Sequence, residues 1–417
     1  MTWLEEGWRH VWLPYAQMQT APLPMAVART QGARIILEDG RELIDGIASW
    51  WTACHGYNHP DIQQAVADQL EAMPHVMFGG LANQPAYRLA TRLAAMLPGD
   101  LNRVFFTDSG SVAVEVAIKI AVQSRLNKGE RGRTKILAFC GGYHGDTLGT
   151  MAICDPEEGM HSLYTGLLPE HPVVPLPKDE ASIAAFEAFL EREHKTLAAI
   201  IVEPLVQGAG GMVFHGPKVL QRLRKAADEY GLTLIFDEIF TGFGRTGSLF
   251  AFEQAGVVPD IITLSKALTG GTSPLAVTIA TDRLFETFLS DSPMTALMHG
   301  PTYMAHALGC AAANASLDIF ESEPRLAQVA AISAQMAKEL EPCRRLPGVK
   351  DVRVMGAIGV VQMHEITNPA GLRQKFLKEG VWIRPFRDIV YLTPAFTVSP
   401  EELSRLTGAI RRVLTTP

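Results

Sequence analysis

The stretch of sequence that decides the predicted fold is residues 232–266, which read LTLIFDEIFTGFGRTGSLFAFEQAGVVPDIITLSK. It holds two short apolar runs, 232–236 and 261–264, which are closely followed by the charged side chains of Asp237 and Lys266. Apolar runs of this length that alternate with helical segments are typical of parallel strands in βαβ units. Because ligands bind beyond the carboxyl ends of such strands, we expect Asp237 and Lys266 to face a ligand crevice.

The same pattern extends on both sides of this stretch and predicts an α/β fold, with a mostly parallel central sheet flanked by helices. Further strands are predicted at 33–37, 104–107, 135–139, 198–202 and 275–280, and helices at 112–126 and 220–230. Tyr143 and Glu203 follow the predicted strands 135–139 and 198–202, so we expect them to face the crevice as well. The large domain is expected to span residues 50–320. The later pattern, a long helix at 323–340, short strands near Val352, Val360 and Val390 and a closing helix from Pro400, predicts a smaller α+β domain built from residues 1–49 and 321–417.

Composition limits the classes of partner. The chain has 417 residues, of which 47% are hydrophobic and 19% charged, and its formal net charge is −7. A mildly acidic chain without a long basic run argues against nucleic acid or an anionic membrane as the main partner. The five cysteines form no C-x-x-C pair, so no metal site is expected. The N-terminus lacks the pattern of a signal peptide, and no run approaches the ~18 apolar residues of a membrane span, so a cytoplasmic protein is predicted.

Three polar segments at predicted strand ends carry the candidate chemistry. Ser109, Gly110 and Ser111 precede a helix, whose N-terminus binds anions, although a plain helix cap is the alternative. Asp237 could pair with the protonated ring nitrogen of a cofactor, or hold a metal, or cap a helix. Lys266 could form an imine and shuttle protons, although most lysines are simply solvated. The three segments, taken together in this order, indicate a cofactor site more specifically than any one of them does alone.

A longer motif resembles a known family. Residues 236–247, FDEIFTGFGRTG, with Pro259-Asp260-Ile261 and Ser265-Lys266, resemble the signature of class III aminotransferases, fold-type-I enzymes that use pyridoxal 5′-phosphate. Within that family the chain is similar to one subfamily, the adenosylmethionine–8-amino-7-oxononanoate aminotransferases (diaminopelargonate synthases) of biotin biosynthesis. The segments that carry this similarity are residues 12–15, 49–51, 55–60, 75–80, 108–115, 143–147, 298–302 and 381–386. The resemblance covers nearly the whole chain; one departure is Leu13, where many relatives have histidine.

The resemblance implies how the cofactor is held. Lys266 is expected to bind pyridoxal phosphate as a Schiff base and to move the proton, while Asp237 pairs with the pyridine nitrogen. Gly110 and Ser111 are expected to bind the phosphate, and Tyr143 to stack on the ring. Two further residues are implied to reach the phosphate from the neighbouring subunit of a homodimer with shared active sites: Pro301 and Thr302.

The resemblance also implies the substrates. S-adenosylmethionine is expected to give its amino group to the cofactor and 7-keto-8-aminopelargonate to accept it, in a ping-pong exchange between pyridoxal and pyridoxamine phosphate. Arg384 matches the arginine that grips the substrate carboxylate in a two-pronged way. Aromatic walls suit both a methylene chain and a sulfonium cation. Tyr15 is also a candidate catalytic residue, and the set expected around the substrates is Tyr15, Trp50, Trp51, Tyr143, Arg245, Lys266, Gly300 and Arg384.

Other functions remain open from the sequence. A different class III transaminase could take an ω-amino acid or lysine as donor. An isomerase resembling glutamate-1-semialdehyde aminomutase would share the lysine and the aspartate, but the Trp50-Trp51 pair and the Tyr15 segment argue against it. A third alternative is a non-catalytic scaffold that binds pyridoxal phosphate, which the presence of Lys266 and Asp237 makes unattractive.

Overall fold

The alternating pattern folds into one large mixed sheet and three smaller ones, of which one joins only Val206–Gln207 and Val213–Phe214, in the residues that the computed structural model describes, 2–156, 162–164 and 166–415. The strands are β1 (Val27–Gln31), β2 (Arg34–Leu37), β3 (Glu42–Asp45), β4 (Leu101–Thr107), β5 (Lys135–Phe139), β6 (Val173–Val174), β7 (Leu197–Val202), β8 (Val206–Gln207), β9 (Val213–Phe214), β10 (Thr233–Asp237), β11 (Ile261–Leu264), β12 (Ala276–Thr281), β13 (Val349–Met355), β14 (Ile358–Met363), β15 (Val381–Trp382) and β16 (Ile389–Leu392).

The helices cover the faces of these sheets. They are α1 (Trp3–Trp8), the short turn α2 (Ala48–Trp51), α3 (Pro60–Ala72), α4 (Gln84–Met96), α5 (Gly110–Asn127), α6 (Leu148–Met151), α7 (Glu180–Glu193), α8 (Pro217–Tyr230), α9 (Asp282–Phe285), α10 (Ala307–Ser322), α11 (Arg325–Leu340), α12 (Pro369–Lys378) and α13 (Pro400–Thr415). The predicted strands and helices are therefore confirmed, with ends that differ by a few residues. In the described part of the chain, no helix has the length and apolar character needed to span a membrane.

The central sheet is mostly parallel, as predicted. Its order in the described residues is β4-β12-β11-β10-β7-β5-β6. β10 is parallel to β11 and β7, and β5 is parallel to β7 and β6, whereas β12 is antiparallel to both its neighbours. Every residue of β7, β10 and β11 is buried, because helices cover both faces of the sheet. The carboxyl ends of these parallel strands consequently meet along one edge.

The two ends of the chain meet in a second sheet. Its order is β1-β2-β3-β15, and the parallel pairing of β15 with β3 places Trp382 beside Asp45. A third sheet, β13-β14-β16, is formed wholly by the C-terminal region. These pairings favour a small domain built from both termini; the division at residues 49 and 320 stays a prediction.

Candidate active site

Lys266 and Asp237 lie at the same edge of the central sheet. β10 ends on Asp237 and β11 ends two residues before Lys266, and the two strands pair in parallel. Both side chains line a cavity of about 180 Å³. Lys266 has a φ of 48°, in the left-handed region that non-glycine residues rarely occupy. Such strain is concentrated at functional sites, where the surrounding structure must hold it in place.

The Lys266 amine lies in an apolar setting. Its Nζ lies 4.3 Å from the centroid of the Trp51 ring and 5.8 Å from that of Phe240. Burial lowers the pKa of Lys266 to about 8, and the negative charges of Asp237 and Glu203 oppose that shift. A larger share of the amine is therefore neutral near physiological pH than in an ordinary lysine. The neutral amine is the form that attacks a carbonyl and accepts a proton.

The Asp237 carboxylate is held by three donors. His144 donates from Nδ1 to Oδ2 at 2.8 Å, while the Thr263 hydroxyl and the Ile239 amide each donate to Oδ1 at 3.2 Å. His144 and Asp237 are both almost completely buried. No role was predicted for His144 from the sequence. Its position beside Tyr143, in the loop that follows β5, is the signal that could have identified it.

Glu203 is a second acidic side chain at this edge, just beyond β7. Its Oε1 accepts the Tyr143 amide at 3.1 Å and its Oε2 accepts the Gly208 amide at 2.8 Å. Burial raises the pKa of Glu203 to about 7. These bonds fix the backbone of the loop that carries Tyr143, and Glu203 also lines the cavity itself.

The N-terminus of α5 forms the other end of the cavity. Ser109 caps this helix, because its Oγ accepts the Val112 amide at 3.3 Å. Gly110 and Ser111 line the cavity of Lys266, and Ser109 and Gly110 also line a neighbouring space of about 340 Å³ that Lys266 adjoins. A Cβ on Gly145 would lie 2.2 Å from the Ser111 Oγ, so only glycine lets that loop approach so closely. Ser109 can therefore cap the helix while Ser111 lines the cavity and remains available to bind an anion.

These residues fit pyridoxal phosphate. One cavity brings together a partly neutral amine for an aldehyde, a buried carboxylate for a ring nitrogen and a helix N-terminus for a phosphate. Tyr143 and Ile239 also line this cavity and offer side chains to the ring. The residues that could hold the cofactor are thus Gly110, Ser111, Tyr143, Asp237 and Lys266.

A second, largely aromatic cavity of about 300 Å³ meets the first at the lysine. The Arg384 guanidinium lies over the Trp50 ring, with its Cζ 5.2 Å from the centroid. Tyr15 donates a hydrogen bond to Asp146, and its hydroxyl lies 3.3 Å from that of Tyr143. The predicted substrate residues that line this cavity are Tyr15, Trp50, Trp51, Tyr143, Lys266 and Arg384, together with Met212, Phe386 and Tyr391, which were not predicted.

The tryptophans of this cavity sit on a strained backbone. Ala48, Ser49, Trp50 and Trp51 have φ values of 45°, 46°, 56° and 73°, so α2 is a left-handed turn. The left-handed conformation costs a residue with a Cβ roughly 1–2 kcal/mol. The turn must therefore be held by contacts with its surroundings.

Arg245 is not at either cavity. It is fully buried, its Nη1 donates to the carbonyls of Ala357 at 3.2 Å and Pro394 at 2.8 Å, and its Cζ lies 4.6 Å from the Phe396 ring centroid. The guanidinium is thus engaged by the C-terminal region, and the expected contact between Arg245 and substrate stays a prediction.

Three further predicted residues lie apart from both cavities of the single chain. Gly300 and Thr302 are exposed and Pro301 is half-buried. Their expected approach to a neighbouring subunit stays a prediction.

Comparison with known proteins gives a consistent result. The family model described as "Aminotransferase class-III" matches residues 15–414. The adenosylmethionine-8-amino-7-oxononanoate aminotransferase of Mycobacterium leprae (strain TN) is 45% identical and aligns over 97% of this chain and 94% of its own. The crystal structure of the similarly named enzyme from Methanocaldococcus jannaschii superposes with a TM-score of 0.93 at 30% identity, covering 98% of both chains. An amine transaminase from an uncultivated Pseudomonas species, solved in its PLP-bound form, gives 0.89 at 30% identity, covering 97% of this chain and 98% of its own.

Proposed function

The chain belongs to the class III aminotransferase family, and from that premise we propose that it transfers the amino group of S-adenosylmethionine to 7-keto-8-aminopelargonate, which gives 7,8-diaminopelargonate in biotin biosynthesis. The chain is an aminotransferase, and its cofactor is pyridoxal 5′-phosphate. The choice of these two substrates rests on the names of its relatives and on the chemistry of the aromatic cavity.

The observation that carries the proposal is that Lys266 and Arg384 line one aromatic cavity. The proposed acceptor has a ketone at one place, a carboxylate at its end and a methylene chain between them. An amine, a guanidinium and apolar walls match those three parts. The donor brings an adenine ring and a sulfonium cation, which Trp50 and Tyr15 can meet by stacking and by cation–π attraction.

The residues of the site have separable tasks. Bound pyridoxal phosphate supplies an electron sink that stabilises negative charge on the substrate carbon. The Lys266 amine would hold the cofactor through its aldehyde, and once the amino donor has freed it, Nζ would move a proton from the substrate carbon to the cofactor. Asp237, oriented by His144, would keep a ring nitrogen protonated. Tyr15 and Tyr143 would close the aromatic wall on the substrate.

We further propose that the enzyme is a cytoplasmic homodimer, in which Pro301 and Thr302 complete the partner's phosphate site. The segment that contains them is flanked by exposed apolar side chains, Met298 at 79% and Tyr303 at 56%. Apolar surface of this kind is typical of an interface between subunits. Shared sites would explain why these residues lie away from the cavities of their own chain.

A spectral titration of the purified holoenzyme tests the substrates. S-adenosylmethionine should convert the cofactor's absorbance to that of pyridoxamine phosphate, and 7-keto-8-aminopelargonate should then restore it. Lysine, an ω-amino acid and a simple amine are the competing donors, because solved relatives include an amine transaminase. Conversion by one of these, with no response to S-adenosylmethionine, would assign the chain to the alternative class III activity.

A further inference from the structure

The left-handed turn α2 carries two walls of the substrate cavity. The Trp50 ring packs under the Arg384 guanidinium, and the Trp51 ring lies against the Lys266 amine. Four consecutive non-glycine residues with positive φ do not adopt this conformation by preference. Since strain of this kind persists only where other contacts impose it, some group outside the turn must hold it.

Asp45 is that group. It is 1% exposed, and its carboxylate accepts three hydrogen bonds: the Ile47 amide at 2.8 Å, the Ser49 amide at 3.1 Å and the Tyr57 hydroxyl at 2.6 Å. The Tyr57 hydroxyl also bonds the Ser49 hydroxyl. Burial raises the pKa of Asp45, and the backbone and hydroxyl donors only partly offset that effect.

Asp45 also fixes this turn relative to the opposite part of the cavity. It ends β3, and Trp382 in β15 is its partner in the parallel pairing. The Gly46 amide donates to the Trp382 carbonyl at 3.0 Å. The chain runs from β15 directly to Arg384, so the tryptophan turn and the arginine are both tied to the same strand pair.

We propose that Asp45 is a positioning residue for substrate recognition: it locks the turn Ala48–Trp51 in its left-handed form and so sets Trp50 against Arg384 and Trp51 against Lys266. The inference rests on the proposed function for the identity of the substrate, but the geometry that it assigns does not depend on the amino donor. Asp45 does not line either of the two cavities that hold Lys266 and Arg384, and its effect passes through the turn.

The test compares Asp45→Asn with the wild-type holoenzyme in each half-reaction. Asparagine has one acceptor oxygen in place of two, so at most two of the three hydrogen bonds can remain. We expect the KM for 7-keto-8-aminopelargonate to rise about tenfold while kcat stays within about threefold, the pattern of lost binding without lost chemistry. Asp260→Asn is the control. Asp260, just before β11, is a buried carboxylate that accepts the Leu234 amide at 2.8 Å and also pairs with Arg224 at 3.1 Å and Arg283 at 2.6 Å; its substitution should lower thermal stability and leave KM unchanged.

Two more measurements keep the inference decidable. Tyr57→Phe, which removes one donor, should raise the same KM about threefold, and it decides the question if Asp45→Asn does not fold. Acrylamide quenching of Trp50, taken as the difference from a Trp50→Phe derivative, should increase in Asp45→Asn whichever donor the enzyme uses. Unchanged KM and unchanged quenching in the foldable variants would overturn the inference. Failure of wild-type enzyme to use S-adenosylmethionine would overturn only the proposed function, and the KM comparison would then use its actual acceptor.

Discussion

At the scale of single residues, the expected reactivity of Lys266 comes from its surroundings. Burial among Trp51 and Phe240 destabilises the ammonium form, and the nearby carboxylates only partly offset that effect. The same cavity keeps Asp237 oriented by donors from three different elements. A nucleophile and an acidic partner are thus prepared before any cofactor binds.

Substitution of the lysine tests its central role. Lys266→Ala should abolish the absorbance of the imine between the lysine and the cofactor and lower turnover by at least about a thousandfold, because it removes both nucleophile and proton carrier. Absorbance spectra and steady-state assays measure the two effects. Lys225→Ala, an exposed lysine on α8, is the control and should behave as wild type. Normal activity in Lys266→Ala would refute the assignment.

The lowered pKa of Lys266 predicts how cofactor capture depends on pH. Below about 8 the amine is mostly protonated, so the rate at which apoenzyme captures pyridoxal phosphate should rise about tenfold per pH unit and level off above 8. Stopped-flow absorbance between pH 6 and 10 measures this rate. N-acetyl-lysine amide, whose amine titrates near 10.4, is the reference compound. An enzyme rate that still climbs steeply at pH 9.5 would contradict the burial argument.

Arg384 offers a third prediction at this scale. Arg384→Met keeps an apolar stem but loses the guanidinium, and a hydrogen bond to a charged group contributes about 1.5–3 kcal/mol. The KM for the keto acid should therefore rise about ten- to a hundredfold. The neighbouring exposed arginine provides the comparison, since Arg387→Met should change KM little. Equal effects of the two substitutions would argue against a carboxylate site at Arg384.

At the scale of elements, the parallel strands β7, β10 and β11 bring their carboxyl ends to one edge, and the N-terminus of α5 faces the same cavity. Three charged side chains, Glu203, Asp237 and Lys266, therefore line one cavity although they are far apart in the sequence. Two serines at the start of α5 have different roles. Ser109 satisfies the helix end, while Ser111 lines the cavity.

The different roles of Ser109 and Ser111 can be tested by substitution. Ser109→Ala should lower the stability of the apoenzyme through a lost N-cap worth about 1 kcal/mol, with a small effect on cofactor affinity. Ser111→Ala should instead weaken pyridoxal phosphate binding about tenfold, through loss of a hydroxyl donor to the phosphate. Thermal unfolding and fluorescence titration give the two quantities for each variant. The reverse assignment of effects would show that the serines had been given the wrong roles.

At the scale of the whole molecule, the proposed dimer makes each active site depend on two chains. If Thr302 serves the partner's phosphate site, each active site takes Lys266 from one chain and Thr302 from the other. Lys266→Ala and Thr302→Glu then inactivate a site through different chains. Mixed after unfolding and refolding, the two inactive variants should form hybrids with one intact site each. Random pairing predicts recovery of about a quarter of wild-type activity. No recovery, with light scattering showing dimers, would contradict shared sites.

The sequence by itself determined the strand order along the chain, the mostly parallel sheet and the main reactive residues, because short apolar runs and strand-end polar residues are local features. It also placed Arg384 and Tyr15 in one site, but only through resemblance to a family. The tertiary structure decided the rest. It paired His144 with Asp237, drew Arg245 into a packing contact and bound Asp45 to the left-handed turn of Trp50 and Trp51. These contacts join side chains from separate elements that meet only when the chain is folded, so no local sequence pattern predicts them.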